Sequence, residues 1–360
     1  MRIMMKMLYL AALLMVVSLL LVSCGKGNSK PDKYSFYESV VDSSKPPAWG
    51  DDNVILIFCD DNTWKMTENY LRRSLERDTY IVVNEKYFTL KRGDITDIDN
   101  LSKYKNLLFM GDLKSKGKTS QHIRSSIDKR MTERVQNSGG EIFIAKNRWV
   151  TDQIIVYMIG DKLESLLRLT LMQGNRLFEI FLNRYGERLA YQIYLTNVIP
   201  DDFFQPYPFQ LKIPQNYRLF SDDKQNRFLS FLYRIRSENR DFPDKYVSVY
   251  YEDMAADTIK VSWLLAKRAE LAKKYYDGDE FDPKLIRSER LTFGIYHAWR
   301  IMGPWKNPKH DIGGGFQTFA FYDADQKRAY LIDNVVYYPA GDKLPILLEL
   351  QKLSVTFKTK

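Results

Sequence analysis

Cysteine is nearly absent from this 360-residue chain: Cys24 and Cys59 are the only two, too few for a disulfide-stapled scaffold or a Cys-rich zinc module. Histidine is almost as scarce, and His122, His297 and His310 lie far apart in sequence. That leaves little for a metal site and gives no reason to expect a cofactor. The chain has no Gly-x-Ser-x-Gly elbow, no His-Glu-x-x-His pair and no repeat of fixed period. Its 54 basic residues outnumber its 45 acidic ones, yet they form no dense stripe interleaved with aromatics, so nucleic acid is not an expected partner. Apolar residues are plentiful at 45%, with 14% aromatic. This excludes a disordered or collagen-like chain, and at roughly 150 residues per domain the length predicts about two domains.

The one long apolar run lies at 8–22, behind Arg2 and Lys6 and just ahead of Ser23. It falls short of the roughly 20 apolar residues of a comfortable membrane span and reads as part of a signal peptide over 1–23. Leu21-Val22-Ser23-Cys24 resembles a bacterial lipobox, and the resemblance implies cleavage before Cys24 and acylation of its sulfur and new amino group. Each buried methylene contributes about 0.8 kcal/mol, so several acyl chains on one residue would hold the protein at a membrane. Gly25 after the cysteine, in place of aspartate, points to the outer membrane, and the lack of an acidic run behind it points to the periplasmic face. Cys59 is then the remaining thiol. Set behind Val54-Ile55-Leu56-Ile57-Phe58, it is expected to be a small buried hydrophobe.

Residues 24–50 carry Lys26, Pro31, Ser43, Ser44, Pro46 and Pro47 with little hydrophobic periodicity, and read as a lipidated flexible tether with a reach on the order of 28 Å. From Val54 onward, strand patterns alternate with helical ones. Strands are expected at 54–58, 107–110, 142–145 and 154–159. Helices are expected after Asp60-Asp61-Asn62, again through Ile123, Ile127 and Val135, and over 163–185 with Gly186 as the stop. This alternation predicts an α/β domain over 51–200 with a partly parallel sheet.

The texture changes near Pro200, where Phe203, Phe204, Tyr207 and Phe209 crowd a Pro-rich boundary loop. Strands at 228–236, 246–252, 289–302, 316–322 and 329–337, a helix around Leu264 to Ala272 and a closing helix after Pro345 describe an antiparallel α+β sandwich over 201–360. Taken together, the fold class is α/β (α+β).

The lipobox, the tether, the strand running into Asp60-Asp61-Asn62-Thr63-Trp64, the segment Lys146-Asn147-Arg148-Trp149-Val150-Thr151-Asp152-Gln153 and the stretch through Arg300, Gly303, Trp305, Gly313, Gly314 and Phe316 resemble an uncharacterised domain-of-unknown-function family of bacterial envelope lipoproteins. That family brings no known activity, and Gly315 stands where its pattern would have proline. The element order of the second half also resembles PsbP-like and Mog-like binding domains, an analogy of fold that carries no function.

Three motifs carry possible chemistry. Gly111 to Thr119 follows a strand and opens a helix as a phosphate-binding loop does, but it has five residues between Gly111 and Gly117 where that loop has four, and no nucleotide is expected. Asp60, Asp61 and Asn62 end a strand, where they could hold a cation or supply a carboxylate nucleophile, but capping of the following helix explains them by itself and is the expected role. Trp64, Trp299, Arg300, Trp305 and Phe316 form a candidate binding patch, with Trp305 between Pro304 and Lys306 in a supposed Gly/Pro loop. The expectation is a non-catalytic module held at the membrane by Cys24 that binds an envelope protein or glycan. The rival is an envelope hydrolase with a site between the two halves that includes His310 and Asp311.

Overall fold

A computed structural model describes residues 40–360; the signal peptide, Cys24 and the tether up to residue 39 lie outside the described residues. Val54–Cys59 forms β1, a run apolar on both faces. Ile55, Ile57 and Cys59 face one core and Leu56 and Phe58 the other, as the two-residue repeat of a strand covered on both sides requires. Helix α1 (Asp61–Leu75) follows, then the short strands β2 (Asp78–Tyr80), β3 (Asn84–Lys86) and β4 (Thr89–Arg92), helix α2 (Ile98–Leu101) and strand β5 (Asn106–Asp112). Helices α3 (Lys118–Ser126) and α4 (Lys129–Ser138), strands β6 (Gly140–Lys146) and β7 (Ile154–Gly160), and helices α5 (Leu163–Met172) and α6 (Gly174–Ile193) complete this half.

The strands assemble in the order β4-β1-β5-β7-β6. β1 pairs in parallel with β4 and β5, β5 in parallel with β7, and only β6 runs antiparallel. From β1 the chain crosses to β4 on one side and then returns to place β5 on the other. A crevice therefore opens at the C-terminal ends of β1 and β5, the position where open α/β sheets bind ligands.

Two expected helices are each divided. The helix through Ile123 and Val135 breaks at Ile127, which is extended (φ −107°, ψ 150°), and restarts where Asp128 accepts the N–H of Met131 at 2.8 Å. The long helix breaks at Gln173. Gly186, expected to stop it, lies inside α6, where an added Cβ would stand 2.1 Å from the Lys352 side chain. The glycine is there for a close approach, and the helix runs on to Ile193.

The second half adds β8 (Phe209–Gln210), β9 (Arg218–Asp223), β10 (Phe228–Tyr233), β11 (Asp244–Asp253), helix α7 (Val261–Tyr275), β12 (Arg287–Phe293), β13 (Tyr296–Asn307), β14 (Ile312–Asp323), β15 (Arg328–Tyr337), helix α8 (Leu344–Ser354) and β16 (Lys358–Thr359). Seven of these strands form one sheet in the order β12-β13-β14-β15-β11-β10-β9, with every pair antiparallel. Helix α8 lays Leu344, Leu347, Leu350 and Leu353 on one face, and α7 lays Leu264, Leu271 and Ala272 on the other. The layered α/β half followed by an antiparallel sheet with helices is as read from the sequence. The expected strand 289–302 is instead the hairpin β12–β13, which turns at Gly294 (φ +60°).

Ser39–Lys360 forms one compact unit that holds both sheets. Tyr87 and Leu348 pack against both cores. The buried Glu85 carboxylate of β3 accepts N–H groups from Lys343 (2.9 and 3.0 Å) and Leu344 (2.6 Å), so one half caps the last helix of the other.

The tether reading over 24–50 gives way at 40–50. Val40 is buried and its carbonyl accepts the N–H of Asp152 at 2.8 Å; Pro46 accepts from Thr151 at 2.9 Å, and Trp49 exchanges bonds with Lys103 and Lys105 at 2.8 and 3.0 Å. Backbone pairing, which composition does not show, holds this Pro- and Ser-bearing stretch on the globule.

Candidate functional site

The crevice at the ends of β1 and β5 is lined by Cys59, Asp60, Asp61, Arg92, Asp94, Gly117, Lys118 and Thr119. Here the two motifs meet. Asp60 stands at the N-cap position of α1, yet makes no side-chain bond to that helix. Its carboxylate reaches across to the start of α3, accepting the N–H of Thr119 at 3.0 Å, the hydroxyl of Ser120 at 2.8 Å, and longer bonds at 3.4 Å from Ser120 N–H and Ser115 Oγ. Capping is thus the right chemistry on a different helix. An anion on the exposed N–H groups of a helix N-terminus is favourable, and here the protein's own carboxylate supplies it. Gly117 makes room: a Cβ there would sit 2.1 Å from the Asp60 carboxyl group. The loop before it folds on Asp112, whose carboxylate accepts the N–H groups of Lys114 and Ser115 at 2.9 and 2.8 Å. Asp61 pairs with Arg92, and burial pushes the Cys59 thiol up to about 12, far from a thiolate nucleophile.

The five patch residues are not brought together. Trp64 lies half-buried on α1, with the guanidinium groups of Arg72 and Arg92 at 5.6 and 5.8 Å from its ring. Trp299 lies half-buried on β13 beneath Arg290, at 4.5 Å. Arg300, its neighbour, points to the opposite face, where Nε donates to Glu289 at 2.8 Å and the side chain lines a groove between the two halves. Trp305 and Phe316 are core residues, 6% and 0% exposed, which removes them as surface anchors. The supposed loop is strand: Pro304 pairs with Gly315, beyond the last pair that β13 makes with β12, Met302 with Arg287, and an edge tolerates proline. Trp305 Nε1 donates to the Val336 carbonyl at 3.2 Å.

A second cleft, of about 370 Å³, opens at the end of the antiparallel sheet under α7, and the buried Trp305 forms part of its floor. Phe220, Tyr246 and Tyr276 wall it. Phe220 meets Tyr246 edge-on at 5.2 Å, and Tyr246 meets Tyr276 edge-on at 5.5 Å. Arg234 is held by Asp244 at 2.8 Å and by the Tyr246 hydroxyl at 2.9 Å. The turn after α7 passes through Asp277 (φ +53°) and Gly278 (φ +88°) and delivers Asp279 to the wall. Asn307, at the end of β13, ties this turn to the β13–β14 hairpin: its amide donates to Asp279 at 2.8 Å, and its oxygen accepts the N–H groups of Lys309 and His310 at 3.0 and 3.2 Å.

Burial raises the Asp279 carboxyl to about 6, against the opposing pull of Asn307 and Arg268. Asp277 is held below the ordinary carboxylate range by bonds from Lys309 (2.7 Å) and His310 (2.6 Å). His310 therefore pairs with Asp277 and not with Asp311, and it sits within the antiparallel half, not between the halves. Arg268, 1% exposed, lies 3.5 Å over the ring of Phe316 and 3.5 Å from Asp333, and its guanidinium nitrogens have no hydrogen-bond partner among the described residues. Sequence reasoning missed Tyr276, Asp277, Asp279 and Asn307. The signal was the run Tyr275-Tyr276-Asp277-Gly278-Asp279, an aromatic and acidic turn directly after a helix.

Residues 198–356, which contain this cleft, match the model of a domain of unknown function, DUF4837, in keeping with the resemblance to an uncharacterised family. No curated protein matches the chain. Among solved structures it is similar to LpqN of Mycobacterium tuberculosis, described as involved in cell envelope biogenesis, at 14% identity and a TM-score of 0.26 over 42% of this chain and 83% of that one. It is also similar to the Ran-binding protein Mog1p of Saccharomyces cerevisiae, at 10% identity and a TM-score of 0.29 over 42% and 90%, and to a point mutant of Mog1 at 9% identity and 0.30 over the same shares.

Proposed function

We propose that the chain is a lipid-anchored binding module of the bacterial envelope, moored at Cys24 in the outer membrane on its periplasmic side, and that its ligand is an envelope saccharide seated in the cleft under α7. The lipobox supports the mooring. The observation that carries the ligand class is the lining: the rings of Phe220, Tyr246 and Tyr276 stand beside the Asp279 carboxyl, the Asn307 amide and the Arg234 guanidinium. Aromatic faces suit the C–H faces of a sugar ring, and a few placed polar groups suit its hydroxyls. Neither Asp60, sequestered on α3, nor Cys59, held as a thiol, offers a nucleophile in the other crevice.

Titration calorimetry with soluble peptidoglycan fragments tests this reading. Phe220→Ala, at a position 42% exposed, should weaken binding at least about tenfold, the loss of one aromatic contact, without lowering the melting temperature. Undiminished binding by that variant would contradict it.

One observation favours a second reading. Asp277, bonded to Lys309 and His310, and Asp279, bonded to Asn307, line the same cleft, and a pair of carboxyl groups facing one sugar site is the machinery of glycoside hydrolysis. New reducing ends released from the same fragments by the native chain, and lost in Asp279→Asn, would replace binding with catalysis.

A further inference from the structure

We infer that the edge of the parallel sheet where the chain enters is a membrane-apposed face, with the Trp49 indole seated at phospholipid headgroup level; this rests on the reading of Cys24 as the anchor. The described chain begins at this edge. Residues 40–50 run across the starts of β1, β5 and β7, bonded to Lys103, Lys105, Thr151 and Asp152. Residues 25–39 separate this edge from Cys24, and even fully extended such a segment spans no more than about 54 Å. An acylated Cys24 therefore keeps this edge, of all parts of the globule, on the shortest leash.

What the edge presents fits that position. Trp49 is 52% exposed although its backbone is fixed on both sides, its N–H on Lys103 at 2.8 Å and its carbonyl on Lys105 at 3.0 Å. Gly50 (φ +84°) makes the turn behind it, and a Cβ there would strike the Tyr104 ring at 2.7 Å. Tyr104 stands edge-on to the indole at 6.5 Å, and the Lys103 ammonium lies 5.1 Å from its centroid. Val41 adds a second exposed apolar side chain at 39%. Three acidic side chains here are paired, Asp42 with Lys45, Asp52 with Lys105 and Asp152 with Arg188, at 3.0, 3.0 and 2.6 Å. A rigid, half-exposed tryptophan with a tyrosine and a lysine around it is the chemistry of the interfacial aromatic belt, an apolar body with a polar tip. The opposite edge, with Asp60 on α3, then faces away from the bilayer.

The test is quenching of tryptophan fluorescence in native acylated protein reconstituted into phosphatidylethanolamine and phosphatidylglycerol vesicles whose acyl chains are brominated close to the headgroup. A quenched component is expected in the wild type and its loss in Trp49→Phe, with flotation of both proteins unchanged. Equal quenching in two proteins that both float would overturn the membrane-apposed face while leaving the anchor standing. Protein that carries no acyl chain and does not float would overturn the anchor and this face together.

Discussion

Asp60 caps a helix other than its own: its carboxylate accepts the backbone N–H of Thr119 at 3.0 Å, at the head of α3, from the N-cap position of α1. One carboxylate thus joins the ends of β1 and β5 and fills the anion position that a phosphate would need. Asp60→Ala strands the N–H of Thr119 and the hydroxyl of Ser120, and should cost about 1–2 kcal/mol of unfolding free energy. Asp60→Asn, which keeps an acceptor, should cost less. Urea denaturation measures both; a variant with unchanged stability would mean that the contact contributes nothing.

Cys59 should be inert in the native protein. With its thiol pushed up to about 12, roughly one part in 10⁴ is thiolate at pH 8. Native acylated protein should consume no thiol reagent at that pH, and unfolded protein a single equivalent. A second equivalent would identify Cys24 as a free thiol and remove the anchor.

The pH dependence at Asp279 has a definite sign. Its carboxyl titrates near 6 when folded against an ordinary 3.8, so between those values the folded state holds more protons than the unfolded one. The stability contributed by this group is fully present below about pH 4 and is lost as pH rises through about 6. Asp279→Asn keeps an oxygen for Asn307 and should raise stability at pH 8 by up to about 3 kcal/mol while flattening the slope between pH 4 and 6. Denaturation across that range, in a His310→Gln background that removes the neighbouring imidazole, reads it. An unchanged slope would show that Asp279 is ionised as an ordinary carboxylate.

Trp305→Ala should behave as a core truncation, costing about 3–5 kcal/mol, because the ring is buried against Phe316, Val335 and the other side chains of the α7 core. Thermal melting decides between this and the surface anchor read from the sequence, which would leave stability intact.

How far the sequence could be read depended on whether the determinant was local. Val54 to Phe58 is apolar at every position, which a strand buried on both faces requires, and that strand and the alternation around it were legible. The passage of Gly186 through α6 is not, because its cause lies in packing against a distant residue, Lys352; the break at Ile127 has a local signal, the Asp128 carboxylate that accepts the N–H of Met131, which the apolar spacing across it masks. β9 carries no two-residue signal because most of its residues are exposed. At the candidate site, adjacency in sequence sets His310 beside Asp311, whereas its partner at 2.6 Å is Asp277. The proline beside Trp305 predicts a loop, whereas the local edge of β13 accommodates it.

If the cleft under α7 is the ligand site, backbone amide chemical shifts will report it. On titration with soluble peptidoglycan fragments, shifts are expected at Tyr276 to Asp279, at Asn307 to Ile312 and at Phe220. Saturating fragments that leave those amides unmoved, or that move instead the groove around Arg300 and Glu289, would contradict it.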